Sequence, residues 1–287
     1  MSRYFNLASP YLKNTTNVLK NLRSKSNASI EEIFACSPLD CNGLKDDRSI
    51  DELSKTIDLN KLKKQIHQIK QLNDRAEIWI TICCGSFAPI HKSHIEMGKN
   101  SALWLESSGK YVAMTYFIPN NPSYTSLKIS KRGDVIPEYL KPEHIENSLR
   151  RTFETEPNLD ACFIDLFRKS YCEWFVCAYE LMNLVRDHFK DVSFKFAIVG
   201  GEDLVRSPGQ LYKGTQVVDF VDMIMMVPRG LSNDKRIKFP LADDVVVLPE
   251  ADIGMSSTKV REYLKTKNYE ELEKALHPNT LKYLIGL

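Results

Sequence analysis

Two imidazoles three positions apart, His91 and His94, follow a glycine and open a helix-length segment. The run reads Gly85-Ser86-Phe87-Ala88-Pro89-Ile90-His91-Lys92-Ser93-His94. A glycine there lets backbone approach a ligand with no Cβ in the way. Pro89 restricts the chain just before the helix, and the i, i+3 spacing puts both histidines on one face of its first turn. The unpaired N–H groups and the positive dipole end at a helix start already favour an anion. Imidazoles added there suit a phosphate, while a zinc ligand pair or plain surface histidines are the competing readings of the pair alone. A second group lies near the C-terminus, Gly254-Met255-Ser256-Ser257-Thr258-Lys259-Val260-Arg261. Its hydroxyls can cap a helix and face an anion. Arg261, four positions after Ser257, reaches the same side. Alone, this is also what an ordinary capped helix with solvated basic residues looks like.

Both groups need strands behind them, and the pattern from Glu77 onward supplies them. Residues 77–84 (EIWITICC) are apolar on both alternating faces, as a buried parallel strand should be. The segments 111–119, 159–166, 193–200, 221–227 and 245–248 repeat the pattern, with helical stretches between them, clearest at 173–189. Alternating strands and helices predict an α/β fold, a doubly wound parallel sheet of Rossmann-like type. Ligands then bind beyond the carboxyl ends of the strands. Residues 1–75 are rich in Asn, Ser and Lys and read as a helical N-terminal extension with no evident role. Within it, Ser29-Ile-Glu-Glu32 has capping-box form, Cys41-Asn-Gly reads as a turn, and 59–72 shows helical spacing of apolar and basic residues. Residues 76–287 form the main domain.

Taken together, the two chemical groups resemble the signature pair of the nucleotidylyltransferase superfamily. In that superfamily G-[ST]-F-[ND]-P-x-H-x-x-H follows the first strand and S-S-T-x-x-R opens a late helix. Within it, the chain looks most like the nicotinamide or nicotinic acid mononucleotide adenylyltransferases. Gly201-Glu202-Asp203 is similar to that family's G-x-D, and Val227-Pro228-Arg229 resembles its V-x-R. Asp165-Leu166-Phe167-Arg168, with Trp174 to Cys177 after it, aligns with a D-x-W-E … W-x-x-T stretch lining the nicotinamide pocket. Pro119 and Tyr124 keep the spacing of a P-x-x-x-x-Y loop. The departures are Ala88 in place of Asn or Asp, Phe167 for Trp, Arg168 for an acid, and Cys177 for Thr. Thr125-Ser126-Leu127 stands where eukaryotic members carry lysines, with Lys128 and Lys131 nearby.

The resemblance implies transfer of the adenylyl group of ATP to a mononucleotide phosphate. On it, His94 and secondarily His91 would contact the ATP phosphates at the reacting centre. Gly85, Ser86 and Phe87 would cradle phosphate through backbone N–H groups, and Ser257, Thr258 and Arg261 would hold the departing pyrophosphate. Gly201 and Asp203 would bind the nucleotide. Phe167, Trp174 and Arg229 would line the mononucleotide side. Mg2+ is expected to bridge substrate phosphates, held mainly by them and by water rather than by protein ligands.

Composition narrows the field further. Across 287 residues, 39 basic against 37 acidic side chains leave a net charge of +2, too balanced for a nucleic-acid wrapper. No apolar run approaches the roughly 18 residues of a membrane span, and the first residues lack a signal-peptide core. A cytoplasmic location is expected, with the nucleus left open. The seven cysteines, an odd number without a C-x-x-C pair, read as reduced thiols. Expected partners are ATP and a pyridine mononucleotide, with no nucleic acid and no membrane. A homo-oligomer stays open, as does a protein partner for the N-terminal segment. The chain is too short for the anticodon domain of a class I aminoacyl-tRNA synthetase, which shares related signatures. Walker, G-x-S-x-G and H-E-x-x-H motifs are absent. Two rivals stand beside the main reading. One is a nucleotidylyltransferase for a pantetheine-phosphate or polyol-phosphate acceptor. The other is a catalytically degenerate nucleotide-binding member of the family.

Overall fold

The computed structural model describes residues 55–122, 124–126, 137–166, 174–202, 221–228, 245–249 and 255–287. The capping box at 29–32 and the turn at Cys41 lie outside them. Six strands form one sheet: β1 (Ile78–Gly85), β2 (Tyr111–Pro119), β3 (Leu159–Ala161), β4 (Phe194–Gly201), β5 (Met223–Val227) and β6 (Val245–Val247). Their order is β3-β2-β1-β4-β5-β6 and every pairing is parallel. The expected α/β doubly wound sheet is therefore present. The winding reverses between β1 and β4, which locates the crevice where such sheets bind ligands.

Alternation along the strands sorts the core onto two faces. On one face Ile78, Ile80 and Ile82 of β1 meet helices α1 (Leu59–Leu72) and α4 (Trp174–His188). On the other, Trp79 and Cys83 meet α2 (Lys92–Ser107) and α3 (Pro142–Phe153). Helix α1 is part of this core. Leu62, Ile66 and Ile69 form its buried stripe, and Asp58 caps its start by accepting from the Lys61 amide at 2.9 Å. The Lys61 ammonium reaches inward to the carbonyls of Phe153 (3.0 Å) and Leu159 (2.6 Å), and the loss of water there lowers its pKa.

Strand β3 is shorter than the apolar run 159–166 predicts. Cys162 N–H still donates to Phe117 O at 2.9 Å, and Phe163 N–H, on the opposite edge, donates to Thr56 O, also at 2.9 Å. A turn follows, closed by Leu166 N–H to Phe163 O at 3.2 Å. The segment before α1 thus lies against the outer edge of the chain just past β3.

Helix α2 approaches β2 closely at Gly98, where an added Cβ would stand 2.6 Å from Phe117 Cζ. That ring cannot retreat freely, because it stacks on Phe153 (centroids 4.8 Å apart) and meets Phe87 edge-on. Helices α5 (Ser257–Thr266), α6 (Tyr269–Ala275) and α7 (Pro278–Leu284) close the chain around a small core of Val260, Leu272, Ala275, Leu276 and Leu284. Cys83, Cys84, Cys162 and Cys177 are free thiols, and burial raises the pKa of Cys162 to about 12. Among the described residues no helix is long and apolar enough to cross a membrane.

Candidate active site

The carboxyl end of β1 runs through Gly85 into the loop 86–91, then straight into α2. Gly85 leaves room for the ring of Phe87, whose Cε1 and Cζ would lie 3.1 Å from a Cβ at 85. Phe87 itself has a left-handed backbone, φ 43°, unusual for a bulky residue. Its ring is buried and meets the His94 ring edge-on, with centroids 5.0 Å apart. The Ser86 hydroxyl oxygen is sealed from solvent without a hydrogen-bond partner. Buried polar groups rarely go unpaired, so this oxygen marks a place built for another polar atom.

His91 is the N-cap of α2 and His94 sits in its first turn. Their rings stack, with centroids 3.7 Å apart and planes 24° apart. His91 is buried while His94 is partly exposed. His94 Nδ1 accepts from the His91 backbone N–H at 3.4 Å. A neutral His94 therefore carries its proton on Nε2, a donor on the opposite ring edge. The stack also decides against the zinc reading of the pair. A metal sits in the plane of each ligating imidazole, and these planes meet well beyond the ~2.0–2.1 Å of a zinc–imidazole bond.

The late segment comes to the same loop. Ser256 caps α5, its hydroxyl accepting from the Lys259 amide at 3.3 Å. Arg261 Nη1 donates to the Ala88 carbonyl at 2.9 Å, and Nη2 to Thr258 Oγ1 at 3.2 Å. Ser257 Oγ donates to the Pro89 carbonyl at 3.1 Å. Two segments about 170 residues apart in sequence are thus joined at residues 88 and 89, just before His91. Ala88, the departure from the family pattern, is buried and packs with Leu140 and Tyr139. A small apolar side chain suits that surround, and its carbonyl is what the guanidinium grips.

The remaining expected residues divide. Gly201 ends β4, paired in register with Val227 of β5, and Glu202 after it is buried. Gly201 therefore lies on the strand beside β1 at the switch point. Trp174 opens α4, but its side chain, with Phe167, Asp203 and Arg229, falls outside the described residues.

Two further residues belong to the rim. Asn121, just beyond β2, donates its backbone N–H to Asp165 Oδ2 at 2.8 Å and its Nδ2 to Asp165 O at 3.1 Å. Both residues are buried. Asn120 N–H donates to Gly85 O at 2.8 Å, extending the β1–β2 ladder by one rung, and Asn121 then ties the loop after β2 to the loop after β3. The sequence marked Asp165 as the head of the D-x-W-E-like stretch and 120–122 as an Asn-Asn-Pro turn, but not that the two meet.

No protein-family model matches the chain, and no curated protein does. Among solved structures, it is similar to Plasmodium falciparum nicotinic acid mononucleotide adenylyltransferase complexed with NaAD. The TM-score is 0.45 at 18% identity, over 73% of this chain and 96% of that one. It is also similar to Plasmodium falciparum nicotinic acid mononucleotide adenylyltransferase complexed with APC. There the TM-score is 0.41 at 15% identity, over 72% and 94% of the two chains.

Proposed function

We propose that the protein is an adenylyltransferase that joins ATP to nicotinamide or nicotinic acid mononucleotide, giving the NAD-type dinucleotide and pyrophosphate. The observation that carries this reading is the grip of Arg261 and Ser257 on the carbonyls of Ala88 and Pro89, beside the stacked His91 and His94. It brings a guanidinium, hydroxyls and imidazoles to one helix N-terminus at the switch point of a parallel sheet. That is a donor set for a polyphosphate.

In the proposed reaction a phosphate oxygen of the mononucleotide attacks the α-phosphorus of ATP. A new P–O bond forms, the α–β bridging bond breaks, and its electron pair leaves with pyrophosphate. The nucleophile is already an anion, so the protein has to align the reactants and meet charge on the transferring and departing oxygens. His94, donating from Nε2, serves the α-phosphoryl oxygens, with His91 stacked behind it. Ser86 and Phe87 cradle phosphate at the loop. Thr258 and the guanidinium of Arg261 serve the leaving group, while Ser257 braces the loop against α5. Gly201, Asp203 and Arg229 would bind nucleotide, and Phe167 with Trp174 would stack on the pyridine ring. Imidazoles, hydroxyls and a guanidinium suit an anion better than a bare divalent cation, so Mg2+ is expected to arrive chelated by the triphosphate.

The test is one assay series with purified protein, ATP, Mg2+ and each mononucleotide, quantifying dinucleotide and pyrophosphate. Phosphopantetheine and polyol phosphates serve as competing acceptors. His94→Ala should lower kcat by about 10²–10³, as loss of one transition-state donor does, with folding unchanged. Wild-type turnover in that variant would remove His94 from the reaction. Nucleotide binding without turnover by any acceptor would point to the degenerate reading.

A further inference from the structure

We infer that Lys92 is a positioning residue: by capping the carbonyl end of α6 it fixes how the α5–α6 pair lies against the start of α2, and so where Arg261 points. The kinetic consequence rests on the adenylyltransferase reading, but the clamp itself is a matter of geometry. Lys92 is the first residue of α2, directly after His91. Its ammonium donates to Glu273 O, in the last turn of α6, at 2.7 Å.

A lysine is an unfavourable choice at that position. A cation at the first residue of a helix faces the positive end of the helix's own dipole, so α2 alone would be better served by a neutral or acidic side chain. At α6 the same charge meets the opposite end, where carbonyls of the last turn lack intrahelical partners. Helix α6 has a lysine of its own in that turn, but Lys274 reaches back to Glu270 and Glu271, at 2.9 and 2.7 Å. The carbonyl end is capped from α2 instead. His277, which caps the start of α7, feels the same charge, because Lys92 is among the groups that lower its pKa. Two observations thus put the ammonium where α6 gives way to α7.

Arg261 is coupled to this point through the fold. Glu273 follows Leu272, Arg261 follows Val260, and Leu272 and Val260 are both fully buried in the core of the last three helices. Only Lys267 and Asn268 connect α5 to α6. Lys267 is left-handed, and Asn268 N–H donates to Tyr263 O at 2.9 Å. A connection that tight passes the tilt of one helix to the other. Arg261 and Ser257 hold the start of α5 to the loop before α2, and Lys92 holds the end of α6 to the first residue of α2. One tie would leave a hinge; two fix an orientation. Lys92 is exposed, where water competes for its charge, so its effect lies in aim rather than in folding.

Lys92→Met keeps the aliphatic stem and removes the charge. It should lower kcat/KM for ATP about fivefold, the size of one ordinary hydrogen bond, with the mononucleotide KM within about twofold of wild type. Lys92→Arg can still donate to the single carbonyl and should restore kcat/KM for ATP to within about twofold. The deciding readout is a double-mutant cycle. In an Arg261→Ala background, Lys92→Met should change kcat/KM by less than about twofold, because the aim it maintains is already gone. A larger loss there would mean that Lys92 meets the phosphates directly, and would overturn the inference. An unchanged kcat/KM in the single variant, an equal rise in mononucleotide KM, or no recovery with arginine would overturn it too. Amide hydrogen exchange gives an arm that needs no activity. In Lys92→Met, exchange should accelerate through both α6 and α5 while β1 and β4 stay unchanged. Acceleration confined to α6, or none at all, overturns the inference. If the wild-type protein transfers adenylyl groups to no mononucleotide, the functional reading fails and exchange alone decides.

Discussion

Helix α1 enters the main core with Leu62, Ile66 and Ile69, whereas helices α5 to α7 keep a small core of their own, joined from outside by Tyr139, and meet the rest of the molecule with several directed polar bonds. Those bonds are Arg261 to Ala88 O, Ser257 to Pro89 O, Lys92 Nζ to Glu273 O at 2.7 Å, His144 to Tyr283, Thr152 to Thr280, and Asn279 to Arg151 O. Apolar burial is strong but indifferent to orientation. Hydrogen bonds contribute less but fix where each atom lies. The first helix is thus held for stability. The last three are held in register, which is what the proposed aim of the Arg261 guanidinium at a phosphate requires.

Three measurements would sharpen or break this contrast. The largest effect is expected from Leu62→Ala, at a side chain with no solvent exposure. It should cost about 2–5 kcal/mol of global stability in urea titration, with activity per folded molecule unchanged. A loss below ~1 kcal/mol would mean that α1 is an accessory after all.

Arg261→Ala should act the other way. We expect kcat/KM to drop about 10²-fold while the urea midpoint barely moves. Arg261→Lys should recover little, because a lysine cannot bridge Ala88 O, Thr258 and an anion with one planar fork. Pyrophosphate release that survives in Arg261→Ala would detach this residue from the leaving group.

The smallest effect concerns pH. His277 caps α7 by accepting the Asn279 amide at Nδ1, 3.3 Å away, and its pKa is lowered from 6.5, chiefly by burial, with Lys99 and Lys92 adding to it against Glu156. The unfolded chain therefore binds this proton first as pH falls. Its contribution is complete above about pH 6.5 and declines below it. Wild-type Tm should fall more than that of His277→Asn between about pH 7.5 and 5.5, since asparagine can cap without titrating. Parallel curves would show that the cap does not depend on the neutral ring.

The amino-acid sequence showed where strands begin because parallel strands buried on both faces leave unmistakable apolar runs, as at 77–84 and 111–119. It did not show where β3 stops. An apolar residue reads alike whether it pairs in a ladder or packs in a turn, and the run from Phe163 goes into a turn closed by Leu166 N–H to Phe163 O. The helix at 59–72 was legible to the residue, yet its docking was not. Its stripe says that something must cover it without naming the sheet. For the site, the spacing of His91, His94 and Arg261 was legible, and the stacking of the two rings came only with coordinates. Asp165 was singled out in its motif-like stretch, but its pairing with Asn121 was not legible, because half of it is a backbone N–H and the partners are 44 positions apart.

Phe87 stands where local preference and packing conflict. Its backbone, φ 43°, asks for glycine, since a left-handed residue with a side chain costs roughly 1–2 kcal/mol. Its ring, buried and wedged against both His94 and Phe117, is worth more than that, about 3–5 kcal/mol by the usual cost of truncating a core phenylalanine. A redesign that chose residues from torsion angles alone would write glycine at 87 and pull the wedge from behind the imidazole. Sequence optimisation of this protein should therefore leave that one discord in place.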